Sequence, residues 1–275
     1  MSPFTGTSGP RDEWKHFRFT VADGIATLTF DRPDKLNALT FEVYADLRDL
    51  LRELPQRDEV KVLVITGEGR GFCSGGDVHD IIGELVESDH DRLLEFTRMT
   101  GAVVQNMREC PLPIIASING IAAGAGSVIA LAADFRVVAR SASFAFLFTK
   151  VGLAGADMGS AYLLPRMVGL SRATELLMLG ETVGPATVDA LGLAYRVVED
   201  EELGAATTEL ARSLADGPAL AYANTKMLLS RELDMDLAGA IELEATTQAL
   251  LMASDDHAEF YKAFTEGRKP NWTGK

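Results

Sequence analysis

Apolar residues along the chain change period in a regular way. Residues 60–67, VKVLVITG, and 112–120, LPIIASING, are nearly continuous apolar runs of strand length, the pattern of strands buried on both faces. Residues 16–30, HFRFTVADGIATLTF, predict two short strands around the turn dipeptide Asp23-Gly24. FRVVA, ASFAFLF and YRVVE predict further strands. Between them the spacing becomes helical. Thr40 is placed to cap a helix carrying Val43, Leu47, Leu50, Leu51 and Leu54, and Pro55 ends it. The polar segment 78–98 predicts an exposed helix, and the small-residue segment 121–134, IAAGAGSVIALAAD, a buried one with a glycine-rich entrance. Ser171 and Ser254 are expected N-caps, the latter for a helix bearing Phe260 and Phe264.

The order predicts an α/β domain followed by helices. We read residues 1–15 as a disordered arm, 16–200 as the core and 201–275 as a C-terminal helical region. The chain has 275 residues, room for one large domain. Its net charge of −14 argues against a nucleic-acid partner, and phosphates on a ligand would need local cations. The most apolar stretch is broken by Ser117, Asn119 and Asp134, so no membrane span is expected. The N-terminus lacks the basic-then-apolar pattern of a secretory signal, and Cys73 and Cys110 form no CxxC pair. A cytoplasmic setting follows. The four histidines are scattered, so no metal site is expected.

Two glycine-rich loops carry candidate chemistry. CSGGD (73–77) and AAGAGS (122–127) each follow a buried strand and lead into a helix. Such loops present free backbone N–H groups at the positive end of a helix. Two side by side could hold one oxyanion. Close packing of a helix on a strand explains either loop alone, but the pair less well. A dinucleotide fingerprint fits poorly, because Ile129 stands where its third glycine should be and Phe146 where its acid should be.

Taken as an ordered set, GRGFCSGGDV, PIIASINGIAAGAGSVIALAADFRVVARSASFAF, KVGL, LPRMVGLSRATELLMLGETV, ALGLAYRVV and FTEGRKPNW resemble the crotonase, or enoyl-CoA hydratase/isomerase, superfamily over about residues 17–272. The resemblance implies a crotonase-like spiral of ββα units with a C-terminal helical region. It also implies a homotrimer or hexamer and an acyl-CoA substrate, with coenzyme A as part of that substrate and no separate cofactor. Carried onto this chain, it places the oxyanion donors at the backbone N–H groups of Ser74 and Ala125, flanked by Gly75, Gly76 and Gly124. Lys35, Leu36 and Ala38 fall where the family cups the coenzyme, and Arg70, Arg268 and Lys269 are candidate phosphate ligands. A basic solvated tail would explain the last two equally well.

Where hydratases of this family keep two glutamates, this chain has Val128 and Phe148 (or Thr149, if the loop gained a residue). Neither can transfer a proton. Asp157, alone among apolar and small residues in VGLAGADMG, resembles an aspartate kept in that loop by relatives that isomerise dienoyl-CoAs. Burial would raise its pKa and make it a usable base. It could equally N-cap the helix that follows. His79 is a second candidate acid or base, and Asp77 is expected to cap its own helix or brace the loop. The reading is isomerisation or hydration of a conjugated enoyl-CoA, with an acyl group that is bulky or cyclic. The alternatives are a CoA-thioester or C–C bond hydrolase of the same fold, and a catalytically poor acyl-CoA-binding protein.

Overall fold

Asp23 and Gly24 both adopt positive φ, 51° and 80°, which makes the first connection a two-residue hairpin turn of the kind that matches strand twist. It joins β1 (Phe17–Ala22) to β2 (Ile25–Phe30) as an antiparallel pair in the computed structural model, which describes residues 14–274. Residues 1–13 of the arm expected at 1–15 lie outside the described residues. Trp14, at its end, stacks on Phe17 with ring centroids 4.9 Å apart.

Helix α1 (Phe41–Glu53) is capped as expected: the Val43 N–H donates to Thr40 Oγ1. Strands β3 (Val62–Gly67) and β4 (Gly71–Cys73) follow. The expected helix at 78–98 divides. A π-helical turn, Val78–Ile82, and α2 (Gly83–Val86) come first; then Asp89 caps α3 (His90–Glu109). Strand β5 (Ile114–Ile118) leads to β6 (Ile121–Ala123) and only then to α4 (Ala125–Ala132), so the helix expected from residue 121 starts later. Strand β7 (Phe135–Ala139) precedes β8 (Ser143–Ala145), after which the chain turns into a 3-10 segment, Leu147–Val151, where strand had been expected.

The rest is mainly helical: α5 (Ser160–Val168), α6 (Leu170–Leu179), β9 (Thr182–Val183), α7 (Pro185–Ala190), β10 (Arg196–Val198), α8 (Leu203–Ala215), α9 (Ala219–Arg231), α10 (Leu237–Met252) and α11 (Asp255–Glu266). Gly169, not Ser171, is the cap residue of α6. Ser254 caps α11 as expected, accepting from the His257 N–H.

One sheet has the order β1-β2-β3-β5-β7-β10 and a second has β4-β6-β8-β9. From β3 to β8, consecutive strands alternate between the two sheets, and β3, β5 and β7 pair in parallel, as do β4, β6 and β8. That alternation, with a helix closing each turn, is the ββα spiral. Strand β5 is buried at every position, and all eight residues of α4 are buried. Helix α4 is apolar all round because it lies inside the molecule. Helix α8, assigned from the sequence to the C-terminal region, packs on the six-stranded sheet, and its Thr207 bonds Ser117 of β5 at 2.9 Å.

Candidate active site

The spiral brings the ends of β4 and β6 together, and with them the two glycine loops. A Cβ on Gly75 would lie 2.9 Å from the Ala123 carbonyl oxygen and 3.4 Å from the Ala125 nitrogen. Gly75 also has φ +94°, a region L side chains avoid. Gly126 faces the backbone of Cys73 so closely that any Cβ would overlap the Cys73 carbonyl. Both readings of the loops therefore hold at once: Gly126 allows close packing, and the residues beside it form a site.

Hydrogen bonds to neighbouring carbonyls leave few N–H groups of these loops free to act. The Ser74 N–H donates to Leu36 O at 3.0 Å and is not available, which corrects its expected role as an oxyanion donor. The Gly75 N–H faces the Cys73 sulfur, and the Asp77 N–H donates to Leu39 O at 2.8 Å. Gly76 lies between them, exposed, and its N–H has no acceptor among the described residues. On the other loop, the Gly124 N–H donates to Ala145 O, while Ala125 opens α4 with its N–H unbonded. The free pair is Gly76 and Ala125.

The loop of residues 33–39 is stitched onto this pair. Leu36 and Asn37 take left-handed φ of 49° and 59°. Buried Asn37 donates to Gly71 O at 2.7 Å and Glu68 O at 3.0 Å, and the Leu39 N–H donates to Gly75 O. Sequence reasoning missed Asn37; an Asn at a tight turn was the available signal. Lys35 is exposed and Ala38 buried, beside the loop they were expected to form for the coenzyme. Asp77 does both jobs expected of it. Its Oδ1 accepts from the His79 and Asp80 N–H groups, and its Oδ2 pairs with Arg32 at 3.1 Å. Burial alone would raise the Asp77 pKa, but these donors outweigh it and hold the carboxylate below its usual range.

Asp157 is not the helix cap. Gly159 occupies the cap position of α5, and no side chain caps that end. Asp157 Oδ1 accepts only the N–H of Met158, at 2.8 Å, and Oδ2 has no partner among the described residues. Met158 holds φ 51°, a strained backbone for a non-glycine residue. Burial raises the Asp157 pKa, opposed only by the Met158 N–H.

Tyr44 links this carboxylate to the amides. Its hydroxyl lies 3.8 Å from where a Gly76 Cβ would sit, and its phenol is pushed up well above 10 by burial, then by the charges of Cys73 and Asp157. Nothing in the sequence singled Tyr44 out, because it sits within the apolar stripe of α1. Burial pushes the Cys73 thiol up to about 12, so it is no nucleophile.

Other expected residues fall elsewhere. Val128 is 0% exposed and packs in the core. Phe148 is largely buried on the 3-10 segment. Ser127 bonds the Ala122 and Ala145 carbonyls and is no nucleophile. His79 is exposed on the π-helical turn. Arg70 is exposed beside β4. Arg268 is tied to Glu259 and Glu266, both at 2.6 Å. Lys269 is exposed next to it. Among the described residues, no three His, Cys, Asp or Glu side chains gather as a metal site, and no helix is long and apolar enough to cross a membrane.

The family model for enoyl-CoA hydratase/isomerase matches residues 20–275. The chain belongs to the enoyl-CoA hydratase/isomerase family. It is 35% identical to a 1,2-epoxyphenylacetyl-CoA isomerase of Escherichia coli (strain K12), over 93% of this chain and 97% of that one. It is 30% identical to a trans-2-decenoyl-[acyl-carrier-protein] isomerase of Streptococcus mutans, over 96% and 100%. The crystal structure of a Streptomyces coelicolor A3(2) protein superposes with a TM-score of 0.95 at 61% identity, covering 100% of both chains. An enoyl-CoA hydratase of Bacillus anthracis gives 0.89 at 26%, over 95% of this chain and 100% of that one. The crotonase fold and the family's enzyme class expected from the motifs are thereby established.

Proposed function

We propose that this enzyme of the family shifts the double bond of a conjugated enoyl-CoA by a proton shuttle. The Gly76 and Ala125 amides hold the thioester oxygen as the enolate forms, and Asp157 takes a proton from one carbon and returns it to another. The observation that carries this is the half-buried Asp157 carboxylate with one free oxygen, whose charge acts on Tyr44, the residue whose hydroxyl lies 3.8 Å from where a Gly76 Cβ would sit. A shuttle begins and ends with the base ionised, so one carboxylate suffices. Hydration needs groups that orient and split a water, and Val128 and Phe148 supply none. Relatives are named both as isomerases and as a probable enoyl-CoA hydratase, so the choice between the two reactions rests on the site.

The acyl group we favour is bulky or cyclic. Coenzyme A would lie along residues 33–39, with Lys35 and Arg70 the exposed cations nearest the loop. Leu237, Leu250 and Phe264 of α10 and α11 are each at least 74% exposed, which supports a homotrimer or hexamer covering that face. Two unpaired buried cysteines support a reducing, cytoplasmic setting.

The test is turnover of 3-enoyl- and dienoyl-CoAs by purified protein. Change in conjugated absorbance with no gain of water and no free thiol is expected. Water addition would make it a hydratase, thiol release a hydrolase, and tight binding without turnover a binding protein.

A further inference from the structure

Tyr44 has a polar group that nothing in the protein uses. Its ring is 3% exposed and packs edge-on to Phe96, with centroids 5.8 Å apart at 86°. Phe41 packs on the same ring of Phe96, at 5.2 Å. A phenylalanine at position 44 would satisfy this packing. The hydroxyl makes no hydrogen bond to any described residue, yet it is not one of the polar atoms sealed inside the protein. It therefore opens on the space beside Gly76, where the missing Cβ leaves it uncovered. Burial, then the Cys73 and Asp157 charges, raise the phenol's pKa well above its usual value, so it acts as a donor.

An acyl chain seated on the Gly76 and Ala125 amides would exclude water from that space. A hydrocarbon chain would leave the Tyr44 donor buried without a partner, which is costly, and a site built to donate a hydrogen bond rejects a ligand that lacks the acceptor. We propose that Tyr44 is a substrate-contacting, specificity-determining residue: its O–H donates to an oxygen carried on the acyl chain, so the pocket selects oxygenated acyl-CoAs over hydrocarbon ones. This rests on the acyl-CoA reading above. It adds the acyl group's chemistry: a hydroxyl, oxo or epoxide oxygen beyond the thioester, within reach of both Tyr44 and Asp157.

The experiment is calorimetric binding, which needs no turnover. Hexanoyl-CoA is compared with its 3-, 4- and 5-hydroxy derivatives on wild type, Tyr44→Phe and Asp157→Asn. For wild type, at least one hydroxy isomer is expected to bind about tenfold tighter than hexanoyl-CoA, equivalent to about 1.4 kcal/mol. Tyr44→Phe should lose that preference while binding hexanoyl-CoA at least as well, which also shows that it folds. Asp157→Asn should keep a preference. Equal wild-type affinities would mean the hydroxyl is simply solvated, and the proposal would fall. A preference surviving in Tyr44→Phe but lost in Asp157→Asn would assign recognition to Asp157 and also overturn it. Failure of every ester to bind would instead sink the acyl-CoA reading on which it rests.

Discussion

Alanine at Gly75 and alanine at Gly76 should behave very differently, although the residues are neighbours. At Gly75 the new Cβ would lie 2.9 Å from Ala123 O and 3.6 Å from Ala123 C, and these are backbone atoms that cannot rotate away. The φ of +94° adds strain of about 1–3 kcal/mol for a non-glycine residue. For a chain of this size that lowers the Tm by roughly 2–5 °C. Relief requires the two loops to part by a few tenths of an ångström, and this moves the Gly76 amide away from Ala125. Misplacement of about 1 Å costs roughly 10²-fold, and complete loss of one oxyanion donor about 10²–10³-fold. We therefore expect Gly75→Ala to slow enolate formation by about 10- to 100-fold. At Gly76 the Cβ would meet only Ile81 Cδ1 at 3.6 Å and Tyr44 Oη at 3.8 Å, ordinary contacts at a φ that is not left-handed. Gly76→Ala should change stability by less than about 0.5 kcal/mol and keep its N–H. The assay is deuterium wash-in at Cα of hexanoyl-CoA, read by mass spectrometry, alongside thermal unfolding. Equal wash-in rates for the two variants would refute the claim that contact between the loops sets the oxyanion geometry.

Asp157→Asn should cut the wash-in rate by about 10²–10⁴-fold and remove the acid limb of its pH profile. The same substitution should stabilise the fold. Burial raises the Asp157 pKa, so the wild type is most stable with this group protonated and loses that contribution as pH rises through the folded pKa. The Tm advantage of Asp157→Asn should accordingly grow from acid toward neutral pH, and a constant or shrinking advantage would contradict the assignment. Asp77→Asn keeps an Oδ1 acceptor for the two backbone N–H groups but replaces the oxygen that pairs with Arg32 by an amide donor, and should cost about 1–2 kcal/mol by denaturant unfolding. In α11 the Arg268 hydrogen bonds, helped by the Asn271 N–H, hold Glu259 down to about 2. Arg268→Gln should return its titration toward the ordinary carboxylate range in an NMR pH series.

Elements with a strong local pattern were legible in the sequence. The Asp23-Gly24 hairpin, α1 with its Thr40 cap, the buried strands β3 and β5 and the Ser254 cap each rest on residues within a few positions of one another. Errors came where short segments carry apolar residues that fit either period. Ile121–Ala123 is equally apolar as the start of a helix or as a strand, and pairing with β4 and β8 decides for strand. Phe146 and Phe148 continue the alternation of β8, yet the chain leaves the sheet at Ala145. Helix α3 runs well past the polar segment that announced it, burying Met99, Val103 and Met107 on a face the charged residues had masked. These are choices made by tertiary contacts, which no window of a single sequence contains.

The same limit explains why the free amide of this loop was placed two residues early. The glycine loop and its partner could be found from composition and from their positions after strands. Which amide in CSGGD is free depends on acceptors outside the loop. Leu36 O, 38 positions upstream of Ser74, takes the Ser74 N–H, and Leu39 O takes that of Asp77. Both acceptors lie on the segment expected to cup the coenzyme. On the proposed reading, the residues that would receive the substrate's carrier therefore also select, by hydrogen bonding, the amide that would receive its reacting oxygen. It follows that this segment cannot be altered for coenzyme affinity alone. A proline at Leu39 would delete the N–H that bonds Gly75 O and loosen the oxyanion loop, so it should lower kcat as well as raise KM. A rise in KM at unchanged kcat would show the two loops to be independent.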